Sequence, residues 1–219
     1  MKQITFDKLS LQLDHDGSFF FKNISFQLEK GFLHSLRGRN GSGKSLLLTT
    51  LVNKKFSSGS IVGVNKMALV NQRYEQMIAH EFSFEKNLSF SAMGKFPSLF
   101  RKPRLESILY QDLIDSFKIP TSIPAKNLSG GQRQILALLM ILQTECDFLL
   151  LDEPTAALDD ENAILVFEFL QKMTLKGITL LVVCHDLELI QKYTTGRKLH
   201  IAVDQEGTRN VLEVEEGSG

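Results

Sequence analysis

Gly38-Arg39-Asn40-Gly41-Ser42-Gly43-Lys44-Ser45 is the stretch that decides how this chain folds. Residues 33–36 before it read as a short strand, and Leu46, Leu47, Leu48 and Leu51 after it read as a helix. The order is strand, glycine-rich loop, helix, and the loop fits G-x-x-x-x-G-K-S/T. Phosphate groups need many donors in a small concavity, and successive backbone N–H groups supply them. Side chains at Gly41 and Gly43 would obstruct that approach. Lys44 is suited to the β and γ phosphates and the Ser45 hydroxyl to Mg²⁺. The helix start adds its positive end. The competing reading is a chance glycine-rich turn, which the flanking strand and helix argue against. The loop points to a nucleoside triphosphate and is silent on what the energy is used for.

Working outward, residues 148–151 are apolar throughout and run into Asp152 and Glu153. A continuous apolar run of this length suits a central parallel strand. A carboxylate at its end can hold Mg²⁺ beside Ser45. Neighbouring side chains at a strand end point differently, so Glu153 is the candidate for orienting or deprotonating the attacking water. The alternative is an ordinary acidic loop. Ser129-Gly130-Gly131-Gln132 precedes a helix expected over 132–143, with Ser129 as its N-cap. This is a second helix end able to take an anion, or a plain structural cap. Asp159, His185 and Gln72 each follow a turn or strand end. Asp159 can cap the helix after it or contact a partner, and His185 can donate to a γ-phosphate oxygen. Gln72 is an amide at the edge of the sheet.

Residues 4–13 and 19–28 alternate loosely and predict an antiparallel hairpin, with Phe20, Lys22, Ile24, Phe26 and Leu28 on one face. Residues 55–63 read as punctuation and 66–70 as a strand. Leu105, Ile108, Leu109, Leu113, Ile114 and Phe117 recur at helical spacing among Pro97, Pro103, Pro120 and Pro124. A mainly helical lobe is therefore expected between two halves of an α/β core. The division is 1–72 for the β subdomain and the first part of the core, 73–127 for the lobe, and 128–219 for the rest. The last part includes a strand at 178–184 and a terminal hairpin at 199–203 and 208–214.

The chain has 219 residues, with 25 Lys+Arg against 25 Asp+Glu. Nucleic-acid binders usually carry a basic excess, so nucleic acid is not expected as a partner. Cys146 and Cys184 lie in apolar runs and predict buried thiols in a reducing compartment. The longest apolar run, 135–142, is far short of a membrane span.

Taken together, these residues resemble the ATP-binding subunit of ABC transporters. Asn127-Leu128-Ser129-Gly130-Gly131-Gln132-Arg133-Gln134 looks like that family's signature motif. Residues 38–45 look like its Walker A loop and 148–153 like its Walker B strand with the catalytic glutamate. Gln72 looks like the Q-loop glutamine, Ala157-Leu158-Asp159 like the D-loop and His185 like the switch histidine. The resemblance implies a P-loop ATPase core with an antiparallel β subdomain and an inserted helical subdomain. It implies ATP and Mg²⁺ as ligands and a head-to-tail dimer in which each ATP touches Walker A of one subunit and residues 129–132 of the other. Lys44, Gln72, Glu153 and His185 would serve hydrolysis. Ser45, Asp152 and Gln72 would hold the metal. Asp159 would cross the seam.

Transmembrane permease subunits are the implied partners, and a solute-binding protein is compatible with them. The place implied is the cytoplasmic side of the inner membrane. Phe84-Glu85-Lys86-Asn87-Leu88-Ser89-Phe90-Ser91 and residues 128–140 further resemble a bacterial subgroup linked with uptake of small organic solutes such as aromatic amino acids. Phe82, Phe84, Phe90, Phe96 and Phe100 are either core of the lobe or a groove for the permease. Arg101-Lys102-Pro103-Arg104 is a basic loop that could face anionic lipid.

The chain departs from the family pattern in places. Leu46 stands where threonine is usual. The aromatic that stacks on adenine falls near His15, with Phe19 as the second candidate. A soluble ABC-type ATPase acting as a scaffold stays open as an alternative function. A DNA-maintenance ATPase would need a long heptad insertion that the proline-broken lobe cannot supply.

Overall fold

The parallel strands around the phosphate loop lie between two hydrophobic cores. The computed structural model describes residues 3–13, 19–93, 108–205 and 207–214. The strands are β1 (Gln3–Gln12), β2 (Phe19–Glu29), β3 (Leu33–Gly38), β4 (Ser58–Val62), β5 (Met67–Val70), β6 (Phe148–Asp152), β7 (Thr179–Val183), β8 (Lys198–Val203) and β9 (Arg209–Glu213). The helices are α1 (Lys44–Asn53), α2 (Phe84–Met93), α3 (Ile108–Ser116), α4 (Gly130–Leu142), α5 (Asp160–Leu175) and α6 (Leu187–Tyr193). One sheet contains all these strands, in the order β4-β1-β2-β9-β8-β3-β7-β6-β5.

β8, β3, β7, β6 and β5 run parallel. β6 and β7 are buried at every position, as strands covered on both faces must be. Their alternation sorts them between two cores. Leu149, Leu151, Leu180 and Val182 face α4, α5 and the lobe helices. Phe148, Leu150, Leu181 and Val183 face α1 and the β1–β2 hairpin. The lobe helices α2 and α3 pack against α4 and α5. Of the stripe that the sequence predicts, Leu113, Ile114 and Phe117 are buried, while Leu105 and the side chains of Ile108 and Leu109 lie outside the described residues.

Two expectations need correction. In β2 the buried residue is Phe21, while Lys22 is exposed. Asn23 adopts a left-handed φ of 50°, and its N–H donates to Ser10 Oγ at 2.9 Å. This bulge shifts the alternation, so Ile24 and Leu28 stay inward but Lys22 does not. Residues 55–63, expected as punctuation, contain the edge strand β4, which pairs antiparallel with β1. Its sequence SGSIV lacks an apolar alternation because both faces are largely exposed. Gly59 is required there: a Cβ would lie 2.6 Å from Lys8 O.

His34 fastens β3 to its neighbours and is fully buried. Its Nδ1 accepts from Arg197 N–H at 2.7 Å, so the proton sits on Nε2, which donates to Glu29 O at 2.8 Å. Burial lowers its pKa, and the nearby Glu29 and Glu213 offset this only partly. Arg197 also bridges Glu29 and Glu213. Of the thiols, Cys184 is buried but Cys146 is only half-buried, and both are free. Among the described residues no helix is long and apolar enough to cross a membrane.

Candidate nucleotide site

The carboxyl ends of β3, β5, β6 and β7 lie along one edge because these strands are parallel, and that edge is where such sheets bind ligands. The residues following those ends are the phosphate loop, Gln72, Asp152 with Glu153, and His185. The topology therefore brings together four motifs that are far apart in the chain.

Gly43 caps α1 with φ 99° and no side-chain hydrogen bond, so the first amides of the helix are left for a ligand. A Cβ on Gly43 would stand 2.5 Å from the Phe20 ring. Ser42 N–H donates to Arg39 O at 3.1 Å and tightens the loop. Lys44 is buried, and its ammonium donates to Gly38 O at 2.9 Å and Arg39 O at 3.2 Å. Ser42 Oγ is buried without a partner. A cation folded onto its own loop, an orphan hydroxyl and uncapped amides fit a polyanion. Arg39, Asn40, Gly41 and Ser45 are exposed on the loop's rim and Leu46 is half-buried.

Asp152 is buried at the end of β6. Burial pushes its carboxyl above the ordinary value, a hydrogen bond with Ser45 works against that, and the charge of Glu153 adds to it. Among the described residues no three His, Cys, Asp or Glu side chains cluster to hold a metal. One carboxylate and one hydroxyl beside a phosphate cradle fit Mg²⁺, which keeps waters and takes phosphate oxygens as ligands. Glu153 adopts φ 56°, a conformation that costs a non-glycine residue about 1–3 kcal/mol. Its carboxylate lies 2.8 Å from His185 Nε2. Gln72 is exposed just past β5.

The signature segment lies elsewhere. Ser129 caps α4, accepting from Gln132 N–H at 3.2 Å, while Gln132 Oε1 accepts from Ser129 N–H at 3.1 Å. A cavity of about 480 Å³ opens beside Ser129, Gly130, Gly131, Gln132, Asp159 and Asn162, and no residue of the phosphate loop lines it. Asp159 caps α5 through Asn162 N–H at 2.9 Å. His15, the candidate for adenine stacking, lies outside the described residues, as do Phe96, Phe100 and residues 101–104. Phe84 is core, but Phe82 and Phe90 are 41% and 54% exposed and stack at 5.2 Å.

Sequence reasoning missed the contacts that connect these parts. Tyr74 and Glu75, just past Gln72, reach α4: Tyr74 Oη donates to Gly130 O at 3.4 Å and Arg133 Nε donates to Glu75 at 2.8 Å. Gln134 is buried between α4 and the Glu153 backbone. In the sequence it ends the motif at 127–134, as an amide just before the apolar stretch 135–142.

The ABC transporter pattern matches residues 21–156, and the chain belongs to that family. A ribose import ATP-binding protein of Shouchella clausii is 31% identical over 80% of this chain and 38% of its own length. The protein cbiO1 of Clostridium perfringens, part of the ABC transporter complex cbiONQ, superposes with a TM-score of 0.76 at 24% identity, covering 95% of this chain and 86% of that one. A dimeric ATP-binding cassette in a post-hydrolysis state, bound to ADP and Pi, has a TM-score of 0.76 at 18% identity, covering 98% and 100%. The chain spans 31–38% of the length of the first curated relatives it matches.

The expected subgroup of aromatic amino-acid uptake is overturned. Several of the relatives are ribose import ATP-binding proteins. The residues that suggested the subgroup explain the error. Phe84, Leu88 and Ile135 are core packing, and Ser129 to Gln132 form a helix cap. None of them has chemistry that reads a solute.

Proposed function

We propose that the chain binds and hydrolyses ATP and, by closing head-to-tail on a second ATP-binding subunit, drives transport through separate membrane-spanning subunits. The observation that carries this reading is that two anion-ready helix ends open onto different surfaces of one chain. The phosphate loop has its acids and histidine on one surface, while the Ser129 end of α4 opens onto a different cavity. A single nucleotide in one chain cannot use both, but two chains facing each other can complete two sites.

In that arrangement Lys44 exchanges its two loop carbonyls for β and γ oxygens, and the loop amides take the remaining phosphate charge. Ser45, Asp152 and Gln72 would hold Mg²⁺. When bound, the metal would supply positive charge that offsets the charge of the phosphates. Glu153 orients the attacking water, and His185, now on the Glu153 carboxylate, turns to the γ-phosphate. Ser129, Gly131 and Asp159 approach from the second subunit. Phe82 and Phe90 supply an exposed apolar surface of the kind that a helix of a permease covers. That contact would keep the chain on the cytoplasmic face of the membrane. The ribose import relatives make a sugar the first solute to test, with a solute-binding protein as a further partner.

The test is Glu153→Gln. ATP binding should persist, hydrolysis should fall about 10²–10⁴-fold, and a dimer should accumulate with ATP. Rapid turnover by a monomeric variant would refute the assignment.

A further inference from the structure

Glu153 is held in its left-handed conformation by three contacts from outside its own turn. Its N–H donates to Val183 O at 2.9 Å, its carboxylate meets His185 Nε2 at 2.8 Å, and its carbonyl accepts from Gln134 Nε2 at 3.1 Å, beside the local Ala156 N–H at 3.3 Å. The first two come from β7 and from His185, two residues past its end. The third comes from α4, whose first turn carries Ser129 and Gln132.

Gln134 is 3% exposed. The other end of its amide, Oε1, accepts from Ala157 N–H at 3.3 Å. The orientation of the amide is fixed by chemistry, since a backbone carbonyl only accepts and a backbone N–H only donates. A buried amide bound at both ends is costly to disturb, because the amide itself would be left without partners away from water. Gln134 thus ties three things in one chain: the backbone of Glu153, the turn leading to Asp159, and the helix whose N-terminus opens onto the second cavity.

We propose that Gln134 is a positioning residue for hydrolysis. It holds Glu153 in register with the nucleotide of its own loop and links that carboxylate to the helix end serving the other nucleotide. A shift of α4 on closure would act directly on the Glu153 carbonyl through this amide. This rests on the ATPase reading above.

The experiment uses the full chain with Q134E and Q134M, alone and in the E153Q background. Q134E keeps an acceptor for Ala157 N–H but loses the donor to Glu153 O. Q134M keeps the length and loses both. Misplacing a reacting group by an ångström can cost up to about 10²-fold, so kcat should fall roughly 10-fold or more. KM for ATP should stay within about twofold, because no phosphate contact changes. In the E153Q background, where the carboxylate is already gone, Q134E should cost nothing further. Wild-type turnover by Q134E, a loss confined to KM, or an additive loss on E153Q would each overturn the proposal. So would unfolding of both variants in thermal melts, which would leave Gln134 a purely structural role. A wild-type chain that fails to hydrolyse ATP in the same assay would instead bring down the ATPase reading, and this proposal with it.

Discussion

Ser129→Asp separates the two roles that the Ser129 position combines. Within one chain, Ser129 caps α4 by accepting from Gln132 N–H at 3.2 Å. Aspartate caps as well as serine, and its charge at a helix N-terminus adds about 0.3–1 kcal/mol. The isolated subunit should therefore melt at the same temperature or a few degrees higher. Ser129→Ala, by contrast, loses the cap at about 1 kcal/mol, which lowers Tm by roughly 2–4 °C for a chain of this size. At a closed seam the order reverses. A carboxylate about 4 Å from a phosphate charge costs about 4 kcal/mol at an effective dielectric of 20. That is roughly a 10³-fold weaker closure for each site, since each 1.4 kcal/mol is tenfold. The assay is size-exclusion with light scattering, on S129D and S129A in the E153Q background, with and without ATP. The expectation is a stable S129D monomer that ATP no longer dimerises, beside a slightly destabilised S129A that still dimerises. An S129D protein that dimerises normally with ATP would refute the seam assignment. One that melts lower than S129A would refute the cap.

Three further outcomes follow from the same geometry. Gly43→Ala combines φ 99° with a Cβ 2.5 Å from the Phe20 ring, whereas Gly41→Ala meets nothing within 4 Å at φ 76°. Titration with a fluorescent ATP analogue should therefore show the far larger loss for G43A, and equal affinities would contradict the loop geometry. His34 is neutral in the folded chain because burial holds its pKa below 6.5. Below that pH the unfolded chain binds a proton that the folded chain does not, so stability is present above it and falls as pH drops. The Glu29 carboxyl, which burial would raise but the Arg197 hydrogen bond brings below 4.5, acts only in a lower window. Urea midpoints from pH 7.5 to 5.5 should fall for the wild type and run flatter for His34→Gln, and parallel slopes would exclude His34. Phe82→Glu with Phe90→Glu should leave ATP turnover by the isolated subunit intact while removing co-purification with a membrane partner. Unchanged co-purification would place the docking surface elsewhere.

Local chemistry made much of the site legible. The loop at 38–45, the acids at 152 and 153 and the cap at 129 each depend on neighbours within a few residues, and each appears where its residues require. β6 and β7 are equally readable, since strands buried on both faces have no polar position to mislead. The unreadable parts depend on distant partners. β4 exists because β1 offers an edge, and its own residues carry no pattern. The bulge at Asn23 needs Ser10 across the hairpin. Gln134 looks like a polar slip in an apolar helix until Glu153 and Ala157 are placed around it. The solute failed for a different reason: the residues that suggested it never meet one.

The strand order carries a consequence for how the polypeptide is made. β2 bonds to the rest of the sheet through β9, by a single parallel bridge between Phe21 and Arg209. β9 in turn joins by way of β8 to β3. On a ribosome, the first three-stranded piece, β4-β1-β2, is complete after residue 62 but has no edge to close against until the final hairpin emerges some 150 residues later. Birth from the N-terminus thus leaves one half of the nascent sheet waiting for the other, and truncation within the last two strands would strand the opening hairpin without its seam.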